Sequence, residues 1–480
     1  MTLRKRALTV IFFLISQAAY CQQPNIILII ADDISWDDIG CYGNKGVHTP
    51  NLDRLARQGI RFTNAFVTSS SCSPSRSSII TGRYPHNTGA AELHTPLPAH
   101  LTYFPELLKK SGYYTAQAGK WHEGPNTKRA YDTLIAGDVN GAGGEEQWIR
   151  LLQDRPVNKP FFLWLAPYDA HREWQDDPKF PSHKISDVTV PPALVDTKGT
   201  REDLVAYYNE IARLDSWIGR LEKELASQKI DKNTMIVFMS DNGRPFPGSK
   251  TRLYDSGVKT PLIIKYPNGI SKTGIACNSL ISSIDIAPTL LRLANVETVE
   301  SIQGKSFDVL LRSPASAFRN YIFTEHNWHD YEAYERAVRT DRYLLISNLR
   351  PQLANQGPLD AVNSPSFKAL LKANSSKVSL TPLQQDVLDS SRSSHEFFDV
   401  MNDPFQKTNK VNDRANEMEI RSLAKVLQQW QEETGDTWPA NLTKDWYGRI
   451  NGETLPGEGK RGEMPGAARS ADRINRPGPF

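Results

Sequence analysis

Apolar residues fall in three nearly unbroken runs, Asn25 to Ala31, Phe161 to Ala166 and Thr234 to Ser240, each rich in Ile, Leu, Val or Phe. A run without polar alternation predicts a strand covered on both faces, as in a mainly parallel sheet. Each run stops at a polar cluster: Asp32-Asp33, Tyr168-Asp169-Ala170-His171-Arg172 and Asp241-Asn242-Gly243. Open α/β sheets bind ligands beyond the carboxyl ends of their strands, which is where these clusters fall.

Elsewhere the period is helical. His48 to Gly59 predicts a helix with Thr49 as cap, Pro50 in the first turn, Leu52, Leu55 and Ala56 inward and Gly59 as stop. Phe104 to Lys110 predicts a short helix, and Arg201 to Gln228 a long one with Leu204, Ile211, Leu214, Ile218, Leu221 and Leu225 on one stripe. Ile60 to Phe66 alternates as a strand, and Tyr113 to Ala118 is a strand that delivers Gly119-Lys120-Trp121-His122. Past residue 313 come shorter strands (321–325, 343–347, 396–400), polar loops and a helix over 417–433. The pattern predicts an α/β protein with a catalytic domain over 22–312 and a smaller α+β, antiparallel subdomain over 313–454. Residues 455–480, rich in Gly, Pro and Arg, are expected to be poorly ordered.

The candidate chemistry lies at the ends of these elements. In Ser71-Cys72-Ser73-Pro74-Ser75-Arg76, Pro74 suits a first helical turn and Gly82 a stop, so Cys72 is presented at a helix start whose N–H groups face an anion. Arg76, one turn on, adds a fixed cation. Taken alone, such a cysteine is a buried or spare thiol beside a capped helix. Asp32, Asp33, Asp241 and Asn242 form an all-oxygen set suited to Ca²⁺ or Mg²⁺; the bland alternative is solvated turns. Lys120 and His122, two apart, share a side in extended chain, and Lys250 returns on the loop after Gly243.

Composition narrows the class. Of 480 residues, 39% are hydrophobic and 23% charged, as in ordinary globular proteins. Residues 1–21 read as a signal peptide, with Arg4, Lys5 and Arg6 before an apolar run and small residues ahead of Gln22. The run is shorter than the roughly 20 residues of a membrane span, so the protein is expected to be exported, periplasmic or secreted, without a transmembrane segment. Lipid anchoring at Cys21 is disfavoured by the bulky Tyr20. Removing this leader takes the formal charge from +3 to about zero, so a nucleic-acid-binding reading, which needs a basic face, loses its main support. Cys41 and Cys277 are open to a disulfide or two thiols.

The string Cys72-Ser-Pro-Ser-Arg with Ser77 to Arg83, and Gly119-Lys-Trp-His-Glu-Gly, resemble the signatures of the type I sulfatases. Ser70 to Arg76, Pro160 to Leu163 with Asp169 and His171-Arg172, Ser240 to Gly243 with Pro245-Phe246-Pro247, Asn348-Leu349 and Ser364 to Phe367 resemble the heparan N-sulfatase (sulfamidase) branch. The resemblance implies an alkaline-phosphatase-like mixed, mostly parallel sheet between helices. It implies Cys72 converted to formylglycine by a maturation enzyme, and Ca²⁺ (or Mg²⁺) on Asp32, Asp33, Cys72, Asp241 and Asn242. It implies Arg76, Lys120 and Lys250 on the sulfuryl oxygens, His122 as a proton acceptor and His171 at the leaving atom. His94, Asp169, Trp328 and His329 are candidates for sugar contacts.

The implied activity is hydrolysis of sulfate from a sulfated oligo- or polysaccharide, with N-sulfoglucosamine as substrate. The alternative is O-sulfatase action on another glycan, algal or host. Phosphonate or phosphodiester hydrolysis and a non-catalytic glycan-binding role complete the set. Lys250 stands where the sulfamidase pattern has arginine, and Glu325 to Asp330 departs from it; both bear on the sugar more than on the chemistry.

Overall fold

The computed structural model describes residues 23–480, so the expected leader and Cys21 lie outside the described residues. Eight strands form the large sheet: β1 (Asn25–Ala31), β2 (Ile60–Phe66), β3 (Tyr114–Gly119), β4 (Thr133–Ile135), β5 (Phe161–Ala166), β6 (Thr234–Ser240), β7 (Leu262–Lys265) and β8 (Ile275–Ser282). Their order is β4-β3-β5-β1-β6-β7-β2-β8. All pairings are parallel except those of β7, which runs against β6 and β2. The three unbroken apolar runs are therefore the three central strands, and every residue of β1, β5 and β6 is buried.

Alternation sends β1 side chains to two cores. Ile26, Leu28 and Ile30 join one cluster with Trp164, Phe104 and Leu291. Ile27 and Ile29 join the other, with Leu52, Leu55 and the stripe of the long helix. Burying each such side chain contributes about 1.5–3 kcal/mol, which is why these strands hold the centre. Helices α1 (Pro50–Arg57), α2 (Cys72–Thr81), α3 (Phe104–Lys110), α4 (Trp148–Asp154) and α5 (Lys198–Ser227) cover the faces. Thr49 stands at the N-cap position expected for α1, but its hydroxyl makes no capping bond and accepts from Gly40 N–H. The Asp215 carboxylate on α5 takes the N–H groups of Asn51 and Leu52 instead, at 3.1 and 2.7 Å.

A separate antiparallel sheet, β9 (Ile322–Trp328), β10 (Glu332–Arg339), β11 (Tyr343–Asn348) and β12 (His395–Asp399), has the order β12-β11-β10-β9. The helix Glu417–Thr434 packs on it, with Trp430 stacked on Phe323. Buried polar contacts tie the regions of the two sheets together: the Arg339–Asp255 ion pair, and His86 Nδ1 against Glu325 at 3.0 Å. Residues 455–480, expected to be poorly ordered, run back against residues 83–92. There the Arg83 guanidinium donates to Asp472 O, Ile474 O and Asn475 Oδ1, and Arg461 pairs with Glu92. Cys41, Cys72 and Cys277 are all free thiols.

Candidate active site

The carboxyl ends of β1 and β6 are neighbours in the sheet, so Asp32-Asp33 and Asp241-Asn242 emerge side by side. Backbone bonds lock them to the β5 end: Asp32 N–H donates to Asp169 O at 3.0 Å and Ala170 N–H to Asp32 O at 2.7 Å. Asp33 takes φ +60°, a left-handed backbone that turns its side chain away from that of Asp32. All four side chains are fully buried.

Cys72 begins α2, and its Sγ lies 3.9 Å from Asp33 Oδ1. Arg76 Nε donates to Asp241 Oδ2 at 2.8 Å, Lys120 Nζ to Asp32 Oδ2 at 2.5 Å and Lys250 Nζ to Asp33 Oδ2 at 2.7 Å. Three cations and three carboxylates thus surround one thiol. Burial opposes the charge of Asp32, but Lys120, His171 and Arg76 hold its carboxyl well below the ordinary range. Burial dominates at Asp241 and lifts it to about 7. Burial also pushes the Cys72 thiol up, so as cysteine it stays protonated and is a poor nucleophile.

The donor set fits a hard divalent cation. Asp32 Oδ1 and Asn242 Oδ1 are buried and accept no hydrogen bond, and oxygens of Asp32 and Asp241 lie with Cys72 Sγ within 4.8 Å of one another. Oxygen donors on rigid strand ends suit Ca²⁺ or Mg²⁺. The surroundings also fit an anion: Arg76 Nη1 and Nη2 are buried and donate no hydrogen bond.

Around this centre opens a cavity of about 810 Å³, lined by Asp32, Cys72, Lys120, His122, His171 and His329 among others. His122 Nε2 and His94 Nδ1 are 2.7 Å apart, and His122 Nδ1 is buried without a partner. Burial and Lys120 keep His122 well below the ordinary imidazole range and bring His94 down to about 4. His171 Nε2 lies 3.8 Å from Asp33 Oδ2. His329 Nδ1 bonds Ser71 Oγ at 2.8 Å, and burial followed by Lys250 keeps it neutral.

Two of the four candidate sugar contacts are otherwise engaged. The Asp169 carboxylate lines the cavity but is held by Arg213, its Oδ2 at 2.8 Å from Arg213 Nε. Trp328 packs against Trp446, is 1% exposed, and donates through Nε1 to Lys444 O. Of the lining acids Asp330 and Asp360, the sequence reading names Asp330 only as the end of the departing segment Glu325 to Asp330 and does not name Asp360. Asp330 is adjacent to His329, which was singled out, but nothing in the pattern marks Asp360, which arrives on the one-turn helix Leu359–Val362.

The profile of the sulfatase family matches residues 24–142 and 145–296, more than half of the chain. The chain belongs to the sulfatase family. It is accordingly a hydrolase of sulfuric ester or sulfamide bonds, with the alkaline-phosphatase-like fold of its structural neighbours. A second profile, N-sulphoglucosamine sulphohydrolase, C-terminal, matches residues 249–365, which carry Lys250, Asp330 and Asp360 of this sulfatase. The human N-sulphoglucosamine sulphohydrolase is 29% identical over 86% of the chain and 91% of its own length. An ulvan-active sulfatase of Formosa agariphila is also 29% identical, over 88% and 76%. A solved structure holding its substrate, D-glucosamine-2-N,6-O-disulfate, superposes with a TM-score of 0.66 at 22% identity, covering 86% of this sulfatase and 98% of that chain.

Proposed function

We propose that this sulfatase frees sulfate from a sulfated sugar through a formylglycine made from Cys72, beside a divalent cation held by Asp32, Asp33, Asp241 and Asn242, and that its substrate is N-sulfoglucosamine. The observation that carries this is the convergence of Cys72, at a helix start, with Lys120, Lys250 and the free Nη atoms of Arg76. Similarity to the human sulphohydrolase along 86% of the chain supports the choice of sugar.

The cation would supply Lewis acidity to a sulfate oxygen, and the hydrated aldehyde an oxygen nucleophile stronger than a protonated thiol. The protein's own groups do the rest. Arg76 Nη1 and Nη2, Lys120 Nζ and Lys250 Nζ bind the sulfuryl oxygens, where negative charge grows in the transition state. His171, whose Nδ1 lies against Arg172 O, turns its Nε2 toward the leaving nitrogen or oxygen, so that the sugar departs as amine or alcohol. His122, kept neutral, takes a proton at the unpartnered Nδ1 when the enzyme-bound sulfate is released, and His94 holds the Nε2 edge. Residues 1–21 have the charge and apolar run of an export signal, in keeping with a periplasmic or secreted enzyme.

Removal of O-sulfate from another glycan is the second reading, favoured by the equal identity to the ulvan-active relative and by lysine at 250. Product analysis separates the two. Matured protein incubated with N-sulfoglucosamine should yield sulfate and a free amine; sulfate from O-sulfated oligomers alone would give the reaction to the second reading.

A further inference from the structure

The cavity is unevenly charged. Every lysine or arginine that lines it is matched: Lys120 by Asp32, and Arg172 by Asp203 through two bonds of 2.7 and 2.9 Å. Four lining carboxylates, Asp138, Glu173, Asp330 and Asp360, form no ion pair with a lysine or arginine among the described residues, and Asp330 and Asp360 are the two more buried ones. Asp330 accepts Leu359 N–H at 2.8 Å and lies 3.8 Å from Nε2 of His329, an imidazole held neutral by burial. Asp360 accepts Ala361 N–H through Oδ1, while its buried Oδ2 accepts no hydrogen bond and lies 4.0 Å from His171 Nε2. Among the described residues neither has a lysine or arginine within 4.0 Å, and the buried Lys250, itself bonded to Asp33, acts on both only from further away.

The two acids are also linked, because the bond from Leu359 N–H to Asp330 fixes the one-turn helix that carries Asp360. The anion-binding donors of Arg76, Lys120 and Lys250 thus serve one sulfate, and the wall facing the rest of the sugar is acidic. A carboxylate there accepts from ring hydroxyls or an ammonium group, and repels a second anion across a low-dielectric cavity.

We propose that Asp330 and Asp360 restrict the enzyme to a sugar ring whose only anionic group is the sulfate being removed. The inference rests on the sulfatase reading of this site and deepens it. In a degradation sequence, O-desulfation of the same ring would then come before this enzyme. A glycosidase acting on the uncharged or cationic sugar would follow it.

The test compares kcat/KM for glucosamine N-sulfate and glucosamine N,6-O-disulfate in the wild type, Asp330→Asn and Asp360→Asn, at slightly alkaline pH and low salt. The wild type should prefer the monosulfated sugar by about tenfold or more, through KM, and either substitution should remove most of that preference. Added salt should shrink it. Equal wild-type values, or a preference unchanged in both variants, would overturn the proposal, even if Asp360→Asn slows both reactions by disturbing His171. The same two sugars titrated by calorimetry onto Cys72→Ala, with and without each aspartate, read the preference without turnover. Failure of the selectivity is thereby distinguished from failure of the sulfatase reading: unselective binding overturns the former, and absence of sulfate from every sugar the latter.

Discussion

Cys72 sits where its thiol is held protonated, between Asp33 and the ammonium groups of Lys120 and Lys250. Those lysines are fixed by carboxylates and need no reorganisation to meet a sulfate. Lys250→Ala should therefore lower kcat by about 10²–10³ with the fold intact, the size of loss typical when one preorganised donor to a transition state is removed. The check is steady-state sulfate release beside an unchanged far-ultraviolet circular dichroism spectrum. The cation has its own expected signature. Chelation should abolish turnover and lower the melting temperature, because Asp32, Asp33 and Asp241 then repel one another, and Ca²⁺ or Mg²⁺ should restore both. A protein indifferent to chelation would contradict the assignment of these oxygens. Asp32, Cys72, Lys120 and Asp241 were legible because each follows a recognisable strand or starts a helix. Asp360 was not, since it reaches the cavity on the one-turn helix Leu359–Val362, through packing that no local pattern contains.

At the scale of elements, β1, β5 and β6 were plain because burial on both faces leaves an unbroken apolar run. β10 was not: Glu332–Arg339 carries Glu332, Glu335, Arg336 and Arg339, all buried, and reads as a polar loop. Its charges are met in space by Lys444, Arg392, Asp436 and Asp255, partners that no local pattern contains. The cap of α1 went astray for the same reason, as Asp215 supplies it from a different helix. Burial raises Asp215 to about 6 even with the Leu52 and Asn51 N–H bonds to it. Its ordinary value in an unfolded chain is about 3.9, so the protonated form is favoured in the fold. The associated stability is present below about pH 4, lost as pH rises to about 6, and amounts to about 3 kcal/mol. Asp215→Asn keeps the acceptor and removes the titration. The difference in unfolding free energy, variant minus wild type, should grow in the variant's favour between those pH values; a difference flat with pH would show that the carboxylate is not strained by burial.

At the scale of the molecule, the antiparallel sheet and residues 455–480 pack against the part of the chain that holds the large sheet. The tail takes up three of the acceptors that Arg83, 1% exposed, requires. Truncation after residue 454 should leave that guanidinium short of partners, at a cost of several kcal/mol, and lower the melting temperature well before activity at low temperature is lost. An unchanged melting temperature would mean that the tail adds nothing to the fold. Composition made this segment look loose because its order comes from contacts with distant backbone and side chains, not from any helix or strand of its own length.

The measurement that bears most directly on the whole is sulfate release from N-sulfoglucosamine by protein produced with a formylglycine-generating enzyme, set against Cys72→Ala made in the same way. The expected result is steady release by the first and none above background by the second. Equal release by both, or none by the matured protein on any sulfated sugar, would contradict a sulfatase that works through Cys72.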